Sequence, residues 1–156
     1  MNFEELIGKV GVYAASFLIG FVSGLVPFVN SEVFLVVVSP MVGRHALLPI
    51  ALLTAAGQMV AKSILFYAGR GVFTINMGRL EKRIEAVQRK FKAWEGKVDL
   101  LVLLSASVGI PPFYVLSFVA GAVKLNFFRF VSVGLVGRSI RFAVIIYFPQ
   151  LILRYI

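Results

Sequence analysis

Long apolar stretches dominate this chain, and they predict helices that lie in a membrane. Four such stretches are separated by short polar or basic segments, at residues 10–38, 46–68, 100–123 and 127–148. About 20 apolar residues are enough for a helix to cross a bilayer, and each stretch reaches that length. The pattern predicts an all-α integral membrane protein with a single membrane domain, residues 1–156.

Two of the four stretches are interrupted near their middle by proline. Pro27 interrupts the first, and Pro111 and Pro112 interrupt the third. Proline lacks the amide hydrogen that a helix interior needs and disfavours helix in the residue before it. Broken backbone is tolerated in hydrocarbon only where protein or water covers it. We therefore expect two covered helix breaks. Gly121 and Gly137 are predicted as further structural breaks, and Pro149 as the end of the last helix.

The two halves of the chain share one order of features. Each has an interrupted apolar stretch, a turn with glycine, and a continuous helix that carries a glycine and then a cation, over residues 10–69 and 98–149. Paired broken segments in corresponding positions indicate a transporter binding site. We interpret each interrupted stretch as a re-entrant hairpin, which makes the two repeats inverted. Full crossing by the interrupted stretches is the alternative topology.

Residues 70–97 join the two repeats and differ from them in composition. An apolar stripe at helical spacing faces a side rich in lysine and arginine, which predicts a basic amphipathic helix on an anionic membrane surface. In either topology, more lysines and arginines lie on the linker side of the membrane than on the opposite side. The sequence therefore predicts a multi-pass protein of the cell inner (plasma) membrane with a cytoplasmic linker.

The composition agrees with this class and argues against others. Charged residues make up 15% of the chain, against about 25% in soluble domains. The net charge of +9 is assigned to loops and lipid contact, because no aromatic and basic residues alternate as in nucleic-acid binding. No zinc-protease motif, nucleophile elbow or P-loop is present. We predict a protein that is not an enzyme and has no metal or cofactor.

Polar and charged side chains inside the apolar stretches are the candidate residues for binding a lipid headgroup. These residues are Glu32, Asn30, Gln58, Lys62, Arg138 and Arg141. Ionisable groups within a membrane are costly and therefore indicate function. One carboxylate cannot balance three cations, so we expect either water or a bound anion at this site. Arg138 and Arg141 share a helical face and suit a phosphate, and Glu32 is expected to hold Arg141 when the site is empty.

Short motifs in both halves resemble the DedA family, also called VTT-domain or SNARE-associated Golgi proteins, in its compact bacterial branch. The residues that carry the resemblance are Pro27, Glu32, Gly69-Arg70, Pro112, Ala120-Gly121, Gly137 and Arg141. The chain departs from many members in having Ser107 where an arginine often precedes the second proline, and in lacking a second acid beside Glu32. The departures weaken a mechanism based on paired carboxylates.

The resemblance implies a transporter, scramblase or flippase for anionic lipids such as phospholipids or polyprenyl phosphate. Membrane lipids are then the expected partners, and the oligomeric state, including a homo-oligomer, stays open. Two alternatives come from the residues themselves. One is a proton-coupled exporter of small ions that uses Glu32. The other is an assembly factor of the membrane that does not transport.

Overall fold

The computed structural model describes residues 3–72 and 97–155, and between them Lys82, Glu85, Ala86, Arg89 and Ala93. Six helices and one 3₁₀ turn (Ser39–Met41) make up the regular structure of residues 3–72 and 97–155. The helices are α1 (Phe3–Leu25), α2 (Ser31–Val38), α3 (Arg44–Val72), α4 (Val98–Ser107), α5 (Phe113–Ala122) and α6 (Phe127–Tyr155). The predicted all-helical class is thus confirmed for the described part of the chain.

Both predicted helix breaks are present. Residues 26–30 separate α1 from α2, and Pro27 lies within this interval. Residues 108–112 separate α4 from α5, where Gly109 has a φ of 91°, a backbone conformation that glycine adopts without steric cost. Pro111 and Pro112 lie in the same interval. The proline signal therefore located both interruptions to within a few residues.

Two described helices, α3 and α6, are long and apolar enough to cross a membrane. Their candidate spans are Arg44–Gly71, with 28 residues, and Phe127–Pro149, with 23 residues. The expectation that Pro149 ends the last helix is wrong, because α6 continues through it to Tyr155. Three residues before Pro149, the carbonyl of Ile146 accepts a hydrogen bond of 2.6 Å from the hydroxyl of Ser39.

Gly121 and Gly137 are not breaks either. Gly121 lies inside α5 and Gly137 inside α6. A Cβ atom on Gly121 would overlap the backbone of Phe66, and one on Gly137 would lie 2.7 Å from the Cβ of Ala106. Both glycines therefore serve close approach between helices, which a small residue permits, and the helices that contain them stay continuous.

The chain divides into two units. Unit 1 contains Met1–Ala61 and Arg138–Ile156, and unit 2 contains Lys62–Gly137. Each of the long helices α3 and α6 begins in one unit and ends in the other. Each unit therefore contains one broken pair of helices, the beginning of the long helix that follows it, and the end of the other long helix.

In unit 1, α1 and α3 pack so closely that their contact positions leave no room for a Cβ atom. A Cβ atom on Gly20 would overlap the carbonyl of Thr54, and one on Gly57 would overlap the carbonyl of Phe17. One turn further, Gly24 faces the side chain of Ala61. Small residues four apart on both helices thus form a reciprocal contact of the small-xxx-small type. It fixes α3 beside the break that follows α1.

In unit 2, an aromatic cluster and two glycines hold α3, α5 and α6 together. The rings of Phe66 and Phe130 stack with centroids 5.0 Å apart, and Phe113 stacks on Phe130 at 5.8 Å. Gly69 fits against the carbonyl of Phe118 and Gly121 against that of Phe66. Asn126 caps the start of α6, since the amide of Arg129 donates a hydrogen bond to Asn126 Oδ1 at 3.1 Å.

The predicted amphipathic linker helix lies mostly outside the described residues. Of the linker, the structure describes Lys82, Glu85, Ala86, Arg89 and Ala93 as exposed positions. The apolar stripe of the linker falls on residues that are not described, so the linker helix stays a prediction.

Candidate functional site

The first helix break positions a carboxylate at the start of α2. Asn30 has extended backbone and caps the helix, its Oδ1 accepting hydrogen bonds from the amides of Glu32 at 2.9 Å and Val33 at 3.4 Å. An asparagine suits this place because its side chain satisfies amides that the helix leaves without partners. A negative charge in the first turn is also stabilised by the helix dipole. The cap therefore fixes the backbone position from which the Glu32 side chain extends.

Glu32 forms an ion pair with Arg141 of α6, and the expected pairing of these residues is thus present. Arg141 donates from Nε and Nη2 to Oε1 of Glu32, at 2.7 and 2.5 Å. The side chains are 36% and 23% exposed for Glu32 and Arg141, respectively. The pair is therefore shielded from solvent in part and remains accessible to a ligand.

Arg138 adds a second guanidinium one turn before Arg141. Its residue exposure is 9%, and its Cζ lies 5.9 Å from the centroid of the Phe142 ring. Positions three apart lie on the same face of a helix. This part of unit 1 thus combines two guanidinium groups with the carboxylate of Glu32, and the positive charge is in excess.

An apolar groove between α2 and α6 begins at Glu32, the acidic member of this ion pair. Its volume is about 460 Å³, within the range of small-molecule sites, roughly 300–1,000 Å³. The polar lining comes from Asn30 and Glu32, at the start of α2. The apolar lining residues are Val33, Val36, Val37, Val144, Ile145 and Phe148. The α2–α6 groove therefore offers an apolar wall that continues from a charged end.

Gln58 is buried behind the break and does not line the α2–α6 groove. Its Nε2 donates to the hydroxyls of Ser23 at 3.1 Å and Ser31 at 3.5 Å. Ser31 is the first residue of α2, so this network connects α1, α3 and the start of α2. Gln58 was predicted to contact the headgroup, and its burial instead suits a positioning role. The two serines were missed, although a serine inside an apolar stretch is itself a signal.

Lys62 belongs to unit 2, whereas the other predicted site residues belong to unit 1. The lysine is 4% exposed, and its Nζ lies 4.8 Å from the ring centroid of Tyr114. This distance is typical of a cation–π interaction. Sequence reasoning missed Tyr114, because a tyrosine in an apolar stretch does not show which cation it will face.

Replacing Asn30 with alanine is expected to destabilise the protein by about 1 kcal/mol, the usual value of an N-cap. Asn30→Ser retains a capping oxygen and should stay close to the wild type. Thermal unfolding in detergent would compare the two variants. Equal unfolding temperatures for Asn30→Ala and the wild type would show that the cap does not stabilise the break.

Comparison with known proteins supports the membrane assignment. The family model described as the VTT domain matches residues 6–151. No curated protein and no solved structure matches the chain significantly. Membership of this family is consistent with a function related to membrane transport. Because the match covers nearly the whole sequence, the chain belongs to the VTT-domain family of DedA and SNARE-associated Golgi proteins, and it is a membrane protein.

Proposed function

We propose that this protein moves anionic lipids, phospholipids or polyprenyl phosphate, across the membrane as a transporter, scramblase or flippase, without covalent catalysis. One observation carries the proposal: the Glu32–Arg141 ion pair lies at the polar end of the apolar α2–α6 groove. A lipid phosphate has the charge that Arg141 attracts, and the hydrocarbon next to the phosphate suits the valine-rich wall.

The ion pair allows Arg141 to exchange Glu32 for a lipid phosphate. Arginine presents its donors in a planar fork that matches carboxylate and phosphate oxygens equally well. A phosphate that reaches Arg141 therefore competes with Glu32 for the same N–H groups. Arg138, one turn away, adds attraction for a negative headgroup. In the absence of lipid, Glu32 keeps Arg141 satisfied, so this arginine is not left as an unpaired charge in an apolar environment.

The short helices support the proposed topology of re-entrant hairpins. At about 1.5 Å per residue, α2 is about 12 Å long, and α4 and α5 are each about 15 Å long. The hydrocarbon core is about 30 Å thick. None of these three helices could cross it alone, whereas α1, with 23 residues, is about 35 Å long. We propose that each break turns the chain back within the membrane. The repeats would then be inverted, with the linker in the cytoplasm of a cell whose inner membrane holds the protein.

Transport of labelled lipid by the purified protein in liposomes tests the function. Vesicles of phosphatidylcholine would contain a trace of phosphatidylglycerol with a fluorescent acyl chain, and an impermeant quencher would report lipid that reaches the outer leaflet. We expect faster exchange with protein than without it, and faster exchange for phosphatidylglycerol than for equally labelled phosphatidylcholine. Added polyprenyl phosphate should compete and slow the exchange.

Two results would contradict this function. The first is lipid exchange no faster than in vesicles without protein, although the reconstituted protein is folded. The second is a proton or small-ion flux in the same vesicles without lipid movement, which would favour the exporter that uses Glu32.

A further inference from the structure

The side-chain amide of Gln58 connects three helices behind the first break. Its Nε2 donates to the hydroxyl of Ser23 at 3.1 Å and to the hydroxyl of Ser31 at 3.5 Å. Ser23 lies in the last turn of α1, and Ser31 is the first residue of α2. An amide nitrogen carries two hydrogens, so the nitrogen end of Gln58 is fully used.

The oxygen end of the same amide differs from the nitrogen end. Oε1 of Gln58 is buried and has no hydrogen-bond partner among the residues that the structure describes, and the residue as a whole is 6% exposed. Buried polar atoms are nearly always hydrogen-bonded, either to protein or to ordered water. Because the described residues supply no donor, Oε1 requires one from a bound molecule.

Turning the amide over does not remove this deficit. Oε1 would then face Ser23 and Ser31, and Nε2 would occupy the position that lacks a partner. Ser23 could not donate to the oxygen, since its hydroxyl hydrogen already binds the carbonyl of Gly20 at 2.8 Å, and a hydroxyl has only one hydrogen to donate. In either orientation, one end of a buried amide requires a further partner.

Gln58 lies near the middle of the candidate membrane span in α3. It stands fourteen positions after Arg44 and thirteen before Gly71, which is about 20 Å from each end at 1.5 Å per residue. The hydrocarbon core of a bilayer offers no water to a polar group. A molecule that satisfies Oε1 must therefore be bound within the protein.

We propose that one water molecule is bound behind the first break, between Oε1 of Gln58 and the hydroxyl of Ser31. Water suits both groups, because it donates to Oε1 and accepts the hydroxyl hydrogen of Ser31, which can rotate toward it. Buried waters of this kind make about two to four hydrogen bonds to polar groups. Ser31 directly follows the exposed break residues, 26–30, and water reaches the site from there. The site does not depend on lipid transport.

Solid-state NMR of the full chain in phosphatidylcholine bilayers would detect this water, through magnetisation transfer from water to the Gln58 side chain. The chain has three glutamines, Gln58, Gln88 and Gln150, so isotopic labelling of glutamine gives three side-chain amide signals. The Gln58 signal is the one that survives replacement of the other two by asparagine. We expect faster transfer to this side-chain amide than to the backbone amide of Gln58, which lies inside α3.

Ser31→Ala tests the position of the water. It removes one of the two protein partners, and transfer to Gln58 should fall at least about twofold, because a buried water is held by its few hydrogen bonds. Ser16→Ala is the matched control. Ser16 is also a buried serine of unit 1, but its hydroxyl donates within α1, to the carbonyl of Val12 at 2.7 Å, so transfer should stay at the wild-type rate.

Transfer to the Gln58 side chain no faster than to the backbone amide of the same residue would overturn the proposal. This comparison uses the wild type, so it decides even if Ser31→Ala does not fold. Equal transfer rates in Ser31→Ala and Ser16→Ala would show that Ser31 does not hold the water, and would overturn the proposed site.

Discussion

Lipid transport should fall at least about tenfold when Arg141 is replaced by alanine, and nearly as far when it is replaced by lysine. Lysine keeps the charge but loses the planar fork that binds a phosphate through two parallel hydrogen bonds. One hydrogen bond to a charged group contributes roughly 1.5–3 kcal/mol, and 1.4 kcal/mol corresponds to a factor of about ten in rate. The liposome assay with labelled phosphatidylglycerol measures both variants directly.

Arg129 offers a matched control on the same helix. It also forms an ion pair, with Nη2 at 2.6 Å from Oδ2 of Asp99, but its side chain is 58% exposed. Exposed pairs of this kind contribute about 0–1 kcal/mol, so Arg129→Ala should transport like the wild type. Wild-type transport by Arg141→Ala, at normal folding and abundance, would remove the basis of the headgroup site.

The second large effect is expected for Gly121→Ala in unit 2. The added methyl group would overlap the carbonyl of Phe66, and because backbone cannot rotate away, α5 and α3 must separate. Overpacking of this kind costs about 1–3 kcal/mol and sometimes more. We expect a lower unfolding temperature in detergent and a smaller fraction of monodisperse protein on gel filtration.

Gly71→Ala provides the control for this variant. Gly71 lies in α3 of the same unit, and a Cβ atom there would meet nothing within 4 Å. Alanine is also the better helix former, so this change should leave stability unchanged or raise it. If Gly121→Ala and Gly71→Ala unfold at the same temperature, close approach of α5 and α3 does not limit the stability of unit 2.

The elements that the sequence predicted well are those with a local cause. Pro27 and the Pro111–Pro112 pair disturb the backbone where they stand, so both breaks could be located without knowledge of any neighbour. The long apolar stretches predicted α3 and α6, because length and composition alone decide whether a helix can span hydrocarbon.

The errors and omissions concern contacts between distant parts of the chain. Gly121 reads as a break in the sequence, yet it is a packing residue, since the backbone it meets is more than fifty positions away at Phe66. Pro149 does not end α6, which continues to Tyr155. The partner of Lys62 could not be predicted, because a cation–π contact depends on which ring the fold brings over the ammonium.

The division of α3 and α6 between the two units has a consequence for half-length versions of the protein. Unit 1 includes Arg138–Ile156, so a fragment that stopped after α3 would have Glu32 but not the arginine that pairs with it. A fragment that began at α4 would likewise have Tyr114 without Lys62. Neither half alone could therefore form its contact, and two separately expressed halves would have to combine before Glu32 could pair with Arg141 and Tyr114 could contact Lys62.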